Sequence, residues 1–479
     1  MKNYIYTLLF AVVVATSTSC TYTFPEAETP TAGTANFTKL VAVGNSLTAG
    51  YMNGALYNEG QANSFANLIA QQMQATGGGA FNQPDINSEI GYFGMVGSVV
   101  LGRLHLVGLQ SPAPAPIIPG DLISPFTGDK TALNNFGVPG IRVIDIEFSG
   151  YGTLNPYYGR FASDPTASVL DDAVAANGTF FTFWLGGNDV LGYALAGATG
   201  QKNGNGLSTN DMTPIAMFEG AYNSAINAML ANGSKGIVAN IPNIQDIPHF
   251  TTVPWNAIPM DAATADGTNA AYVAYNGGLE DMVTNQLITQ TEANLRKVFF
   301  YEGANGIVIS DTQLTDLSAY GLPSIRMANS NDLITLTAGS VLGTLADATN
   351  PSSVIGVGVP LDEKYTLILA DQEAIANRVA EFNAIISATV SANSDNLALL
   401  DVNAFFADFA QNGASVNGAG MDASIIPPFG AFSLDGVHPN SRGAAYVASL
   451  FIDKINETFS SNIPNLNPNN YPGNELPVP

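Results

Sequence analysis

Apolar residues follow two alternating patterns along this chain, short continuous runs and longer stretches with helical spacing. The continuous runs predict buried strands at 40–43, 181–185, 236–241 and 397–400. Apolar positions three or four residues apart predict amphipathic helices at 65–73, 218–229, 375–386 and 447–459. Because parallel strands need long crossover connections, this alternation predicts an α/β fold, a three-layer α/β/α sandwich with a mostly parallel sheet.

The helix at 218–229 has the clearest predicted ends. Thr213 and Pro214 predict its N-cap and first turn, and Gly233 predicts its end. Residues 77–134 are different, because they are rich in Gly and Pro and include the alternating run 111–116, which excludes a regular helix or a central strand. We expect 77–134 to be an insertion in the α/β fold.

A second insertion is expected at about 245–365, because the chain there is much longer than one helix and one strand need. It is predicted to hold a helix with an apolar face at 272–282. The runs 297–300 and 306–309 predict a hairpin across Asn305-Gly306. This insertion either shapes the substrate mouth or only adds packing. Residues 460–479, rich in Asn and Pro, are expected to be irregular.

Four short stretches carry residue types that acyl transfer needs. They are Gly-Asn-Ser-Leu at 44–47, Asn-Phe-Gly-Val-Pro-Gly at 135–140, Gly-Gly-Asn-Asp at 186–189 and Asp-Gly-Val-His-Pro at 435–439. In this order they supply a serine, a glycine turn with a backbone N–H, an amide side chain, and a histidine three residues after a carboxylate. These are the groups of a nucleophile, an oxyanion site and a base.

His438 is the best candidate base of the three histidines in the chain. A serine hydroxyl is a poor nucleophile at neutral pH and needs a base, and Asp435 is close enough in sequence to orient the His438 ring. His105 lies in an apolar run and His249 follows a proline, so both are interpreted as structural. Read singly, each motif also has an ordinary structural interpretation as a helix cap or a turn. It is the combination that favours catalysis.

These four stretches resemble the motif blocks of the SGNH hydrolases, also called the GDSL family, over roughly residues 37–459. The resemblance implies a flavodoxin-like α/β/α fold, with Ser46 as nucleophile, His438 as base and Asp435 as its orienter. It also implies an oxyanion hole made by the backbone N–H groups of Ser46 and Gly140 and the side chain of Asn188. The block differs at Asn45, where the family usually has Asp.

The N-terminus predicts export. Lys2 precedes a short apolar segment that ends in small residues, which is typical of a signal peptide over 1–19 and too short to cross a bilayer. Cys20, the only cysteine, resembles the lipidated cysteine of a bacterial lipoprotein; ordinary secretion is the alternative. We therefore expect a linker at 20–36, a hydrolase domain at 37–459, and a protein anchored by lipid in a bacterial cell envelope, periplasmic or on the cell surface.

Composition excludes some classes of partner. The formal charge of −24 and the lack of a basic cluster disfavour nucleic acid and electrostatic adhesion to anionic lipid. Hydrophobic residues make up 46% of 479 positions, enough for a large core. No metal-ligand spacing is evident, so we expect no metal or cofactor, although the Asn- and Asp-rich turns leave calcium open. The oligomeric state is left undetermined.

The predicted activity is that of a serine esterase or lipase acting through an acyl-enzyme on Ser46. Two alternatives stay open: an acyltransferase to a sugar hydroxyl with the same residues, and a catalytically idle surface lipoprotein that binds glycan or protein. Lipids, acylated glycans and small esters all fit as substrates. The apolar segment 98–118 is compatible with a lid over lipid or with a buried strand.

Overall fold

The computed structural model describes residues 29–110 and 112–477. The predicted signal peptide and Cys20 therefore lie outside the described residues. A parallel sheet forms the centre of the fold, and its strands are β1 (Leu40–Gly44), β2 (Asn135–Gly137), β3 (Phe180–Trp184), β4 (Lys235–Ala239) and β5 (Leu397–Leu400). Their order across the sheet is β5-β4-β3-β1-β2, and every neighbouring pair is parallel. This is the flavodoxin-like order, which confirms the predicted sheet.

Helices connect and flank these strands. In chain order they are α1 (Ser46–Ala49), α2 (Asn58–Ala62), α3 (Phe65–Met73), α4 (Pro156–Gly159), α5 (Val169–Ala175), α6 (Asn188–Leu195), α7 (Ile215–Leu230), α8 (Pro248–Thr251), α9 (Ala262–Thr284), α10 (Gln290–Arg296), α11 (Leu369–Ala392), α12 (Val402–Asn412) and α13 (Ser441–Phe459). The four helices predicted around the sheet correspond to α3, α7, α11 and α13, which confirms them.

Consecutive side chains of β3 show the three layers. The ring of Phe183 packs edge-on against Tyr222 of α7, with centroids 5.5 Å apart. Trp184, the next residue, packs at 5.4 Å against Phe65 of α3 and at 5.8 Å against Phe451 of α13. Because successive side chains of a strand point to opposite faces, α7 lies on one side of the sheet and α3 and α13 on the other. The α/β/α sandwich is confirmed.

One predicted helix start is wrong by a position. The N-cap residue of α7 is Pro214, with φ −61° and ψ 138°, and its first helical residue is Ile215. Thr213 is not the cap; its N–H donates to the carbonyl of Asp189 at 2.9 Å. The extended ψ of Pro214 keeps that residue outside the helix, so Thr213 lies too early to cap it. Gly233, with φ +75°, lies just beyond the end of the helix, as predicted.

The second insertion contains the predicted helix, α9, but not the predicted hairpin. Gly303–Asn305 pairs with Ile258–Met260, and Val308–Ser310 pairs with Ile325–Met327, all antiparallel. The Asn305 amide donates to the carbonyl of Tyr301 at 2.8 Å and its oxygen accepts from the Tyr301 N–H at 2.8 Å. Asn305 and Gly306 also lack the positive φ that a two-residue hairpin turn requires. The prediction of a hairpin at this position is therefore wrong.

The first insertion lies outside the central sheet. Its hairpins are Gly94–Val96 with Val99–Leu101, and Leu104–Val107 with Ala113–Pro116. Apolar side chains of 98–118 are exposed, among them Leu109 at 62% and Ile118 at 63%. The buried-strand interpretation of this segment is therefore wrong. Prolines in the last of these strands lack the N–H that a further strand would need.

The remaining short strands are Leu333–Ile334 with Thr366–Leu367, and Ala414–Val416 with Ala419–Met421. The end of the described chain, 460–477, has one short 3₁₀ turn at Pro468–Asn470 and is otherwise irregular. It is nevertheless fixed to the domain, because Ile463 is buried and the Asn469 amide donates to the Val416 carbonyl at 2.8 Å. Within 29–110 and 112–477 no helix is long and apolar enough to cross a membrane.

Candidate active site

Three neighbouring strands end at the same level and carry the predicted site residues. In the register of the sheet, Gly44 of β1 lies opposite Gly137 of β2 and Trp184 of β3. Ser46, Gly140 and Asn188 follow these strand ends within four residues. The carboxyl ends of parallel strands are where open α/β sheets bind ligands. The topology therefore brings these three positions to one edge of the sheet.

Ser46, His438 and Asp435 form a continuous hydrogen-bonded chain. His438 Nε2 lies 2.8 Å from Ser46 Oγ, and His438 Nδ1 lies 3.0 Å from Asp435 Oδ2. Ser46 is 8% exposed, and the His438 and Asp435 side chains are 13% and 12% exposed. The Ser46 hydroxyl and the His438 ring are thus shielded but reachable. The structure brings together all three side chains that the sequence singled out, although 392 positions separate Ser46 from His438.

Asp435 is held as a carboxylate by four donors. Oδ1 accepts from the backbone N–H groups of Val437 and His438, each at 2.9 Å. Oδ2 accepts from the Gly54 N–H at 2.8 Å and faces the His438 ring. Burial alone would raise the pKa of Asp435, but the charge and hydrogen bonds of His438 and the Val437 N–H outweigh it and hold the pKa well below its usual range. An ionised Asp435 fixes the His438 tautomer with its proton on Nδ1, which leaves Nε2 able to accept from Ser46.

Candidate oxyanion donors surround the end of β1. Among the described residues, the backbone N–H groups of Ser46 and Gly140 have no hydrogen-bond acceptor. Gly140 has φ +83°, a left-handed conformation that favours glycine. The Asn188 Nδ2 donates to the Ile141 carbonyl at 2.9 Å, which fixes the amide and leaves one of its two hydrogens for a ligand. These are the groups that could stabilise a developing negative charge; their catalytic roles stay predictions.

Two residues shape the turn that carries Ser46. Asn45 caps α1, because its side-chain oxygen accepts from the Leu47 N–H at 3.0 Å. This hydrogen bond uses only the side-chain oxygen of Asn45, which an Asp at this position would also supply. A Cβ at Gly44 would lie 2.0 Å from Thr48 Oγ1 and 2.9 Å from the Trp184 carbonyl. Only glycine lets the chain turn this tightly from β1 into α1.

Sequence reasoning missed the loop that supports Asp435. Asn53 has φ +54°, and its N–H donates to Ser433 Oγ at 2.9 Å. The Asn53 side-chain oxygen in turn accepts from the Leu434 N–H at 2.9 Å, beside the bond from Gly54 to Asp435. Asn-Gly at 53–54 is a turn signal in the sequence. No signal there indicates that the turn contacts residues about 380 positions away.

Two tyrosine rings near the His438 ring were also not predicted from the sequence. The ring of Tyr51 lies 4.9 Å from that of His438, and it packs edge-on against Tyr157 at 6.0 Å. His249, interpreted from sequence as structural, is buried, and its N–H donates to the Gly436 carbonyl at 2.9 Å. Burial lowers the pKa of His249. The structural interpretation of His249 thus becomes specific: it supports the turn between Asp435 and His438.

Asp189, next to Asn188, is fully buried and differs from Asp435 in its surroundings. Its Oδ2 accepts from the Val143 N–H at 2.8 Å, whereas Oδ1 has no partner among the described residues. Burial raises the pKa of Asp189 to about 7, against the opposing effects of the Val143 hydrogen bond, the nearby Thr213 hydroxyl and the Arg142 charge. The bond to Val143 joins α6 to the segment that follows Gly140. Asp189 therefore links the two segments that carry the candidate oxyanion donors Gly140 and Asn188.

In the described part of the chain, no group of three or more His, Cys, Asp or Glu side chains is placed to hold a metal ion. His105, the remaining histidine, is far from such a role, because its Nδ1 lies 2.9 Å from the Ala115 carbonyl within a hairpin.

Comparison with known proteins adds little to this geometry. No family model matches the chain, and no curated protein matches it. Among solved structures, an extracellular lipase from Streptomyces rimosus is similar, with 12% sequence identity, over 85% of this chain and 94% of the lipase, at a TM-score of 0.28. A similarity at this TM-score carries no argument about fold or function. The fold assignment therefore depends on the strand order, and the functional interpretation depends on the geometry of the candidate site.

Proposed function

We propose that the protein is a serine hydrolase of carboxylic esters, of the SGNH type, that works through an acyl-enzyme on Ser46. The observation that carries the proposal is the hydrogen-bonded chain from Ser46 through His438 to Asp435, with contacts of 2.8 and 3.0 Å. A helix cap or a structural turn would not need this order of hydroxyl, imidazole and carboxylate. The backbone N–H groups of Ser46 and Gly140 at the same sheet edge add the donors that ester cleavage requires.

The proposed reaction has two halves. Ser46 Oγ attacks the ester carbonyl while His438 Nε2 takes its proton, and the oxyanion accepts from Ser46 N–H, Gly140 N–H and Asn188 Nδ2. Collapse of this intermediate expels the alcohol, which receives the proton from His438. Water then attacks the acyl-enzyme while His438 takes its proton, and His438 returns that proton to Ser46 Oγ as the acid leaves. Asp435 stays ionised and stabilises the imidazolium in both halves.

The first experiment compares the purified full-length protein with Ser46→Ala on p-nitrophenyl acetate. Wild type should hydrolyse the ester, and the variant should lose that activity without a change in Tm. Ser415→Ala, at an exposed strand position, is the matched control and should retain full activity. A fluorophosphonate probe should label Ser46 alone. Equal activity of Ser46→Ala and wild type would refute the nucleophile.

Product analysis then separates hydrolysis from transfer. With an added sugar or alcohol acceptor, a hydrolase releases free acid, whereas an acyltransferase forms a new ester with the acceptor. We expect free acid to be the main product. Predominant formation of the acceptor ester would show that the same site performs transfer, and would overturn the hydrolase assignment.

We also propose that Cys20 carries a lipid anchor that holds the protein at a bacterial cell envelope. Support comes from the sequence, in which the only cysteine follows a signal-peptide-like segment. Cys20→Ser should move the protein from the membrane fraction to the soluble fraction, as judged by immunoblot after ultracentrifugation. A variant that stays with the membranes would contradict lipidation of this residue.

A further inference from the structure

A narrow apolar groove of about 100 Å³ begins beside the candidate catalytic residues. Leu47, which follows Ser46, and Val437 and Pro439, on either side of His438, form one part of its wall. From there the groove passes the ends of other strands, where Trp184 of β3 and Leu400 of β5 line it. We call it the aliphatic groove. It lies next to the candidate catalytic residues, because its walls include the sequence neighbours of Ser46 and His438.

The lining of the aliphatic groove is almost entirely apolar. None of the described residues that line it carries a charge. One wall is aromatic and comes from α12, α13 and the segment just before Asp435. In this wall, Phe405 packs at 5.4 Å and Phe409 at 5.8 Å against Tyr446. Phe406 packs at 5.6 Å against Phe432. Such a lining offers a sugar hydroxyl no side-chain partner other than the Tyr446 phenol, and burial of aliphatic carbon there is favourable.

The sheet order places the groove opposite one oxyanion donor. Gly140 follows β2, on one side of β1, whereas Trp184 and Leu400 end strands on the other side. Three strand spacings separate β1 from β5, about 14 Å. An ester carbonyl at Ser46 can therefore direct its oxygen toward Gly140 while a chain of several methylene groups extends along the groove.

We infer that the aliphatic groove binds an unbranched aliphatic chain of the ester substrate. This inference rests on the proposed ester hydrolysis and names the class of substrate. The chain can belong to the acyl group or to the alcohol, because the walls of the groove include sequence neighbours both of Ser46, which takes the acyl group, and of His438, which protonates the leaving alcohol. Each methylene group that enters the groove should raise kcat/KM about fourfold, the equivalent of about 0.8 kcal/mol.

The test measures kcat/KM of the full-length protein on two ester series. One series varies the acyl chain, with p-nitrophenyl acetate, butanoate, hexanoate and octanoate; the other varies the alcohol, with ethyl, butyl, hexyl and octyl acetate. In one of the two series we expect a rise of about 10²-fold over the first four added methylene groups, followed by a plateau. The series that shows the rise identifies the chain that the groove holds. Flat profiles in both series, with acetate still hydrolysed, would overturn the inference but not the proposed function.

Variants then test whether this groove is responsible. Val447→Phe places a larger side chain in the groove and should lower the ratio of hexanoate to acetate kcat/KM (or of hexyl to ethyl acetate) at least tenfold. Val273→Phe, on the exposed face of α9, is the matched control and should leave the ratio unchanged. Leu450→Ala, which widens the groove, should shift the plateau to longer chains and covers the case in which Val447→Phe does not fold. A chain-length preference that neither groove variant changes would refute this groove as its origin.

Discussion

Replacement of Asp189 by Asn should remove a pH-dependent loss of stability. Asp189 is fully buried and its folded-state pKa is about 7, against 3.8 for an ordinary aspartate. Between these values the folded protein keeps a proton that the unfolded chain releases, so stability falls as pH rises from about 4 to about 7. A shift of about three pH units corresponds to about 4 kcal/mol.

The sign of the effect follows from proton binding. Below pH 4 the carboxyl is protonated in both states and costs nothing; above pH 7 it is ionised in both, and the whole penalty for burying its charge is present. The amide of the Asp189→Asn variant would have no proton to lose, and its side-chain oxygen can still accept from the Val143 N–H, which bonds the carboxylate at 2.8 Å. The stability of Asp189→Asn relative to wild type should therefore increase by up to about 4 kcal/mol across this window.

Equilibrium unfolding in urea at pH 4, 5, 6, 7 and 8 measures this difference directly. Other titrating groups are the same in both proteins, so their contributions cancel in the subtraction. Asp395→Asn, which removes a carboxylate from an exposed position, is the matched control. If the difference between Asp189→Asn and wild type stays constant from pH 4 to pH 7, or shrinks, then burial does not hold Asp189 protonated and the reasoning is refuted.

Three further predictions concern the site itself. Asn188→Ala should lower kcat on p-nitrophenyl esters about 10²- to 10³-fold with little change in KM, since one oxyanion donor is lost; an unchanged kcat would remove Asn188 from the oxyanion site. Asp435→Asn should lower kcat about 10⁴-fold, because an amide cannot accept from all four donors or hold the His438 tautomer; retention of activity with an unchanged pH profile would contradict this. Asn45→Asp should keep activity within about tenfold, because a carboxylate caps α1 equally well; loss of soluble, folded protein would show that the loop requires the amide.

The layout of the sheet could be read from local patterns where strands are wholly buried. β1, β3, β4 and β5 are continuous apolar runs, and each was predicted to within two residues at either end. β2 was not predicted, because Asn135-Phe136-Gly137 has two polar or small residues and only three positions. Its strand identity comes from pairing with β1, and the Asn135 amide is satisfied by the Thr48 carbonyl at 2.9 Å.

The residue types of the candidate site could be predicted from the sequence, but the contacts that position those residues could not. Ser46, Asp435 and His438 are recognisable because few side chains can act as nucleophile, base and orienter. The residues that support them have no distinctive chemistry, and their role depends on contacts between distant parts of the chain. From the sequence Asn53 is only a turn residue, whereas in the structure it forms hydrogen bonds with Ser433 and Leu434. The hairpin predicted at Asn305 failed for a related reason, since its side chain closes a local loop with Tyr301.

Two carboxylates near the sheet edge show how one fold shifts the pKa of the same functional group in opposite directions. Asp435 faces four donors, including the His438 ring, and its pKa is held below the usual range. Asp189 has one backbone donor and complete burial, and its pKa rises to about 7. The difference lies in the number of donors rather than in depth alone, because Asp435 is also largely shielded. A charge is thus maintained beside the His438 ring, while Asp189, through its bond from the Val143 N–H, joins the helix of Asn188 to the segment that follows Gly140.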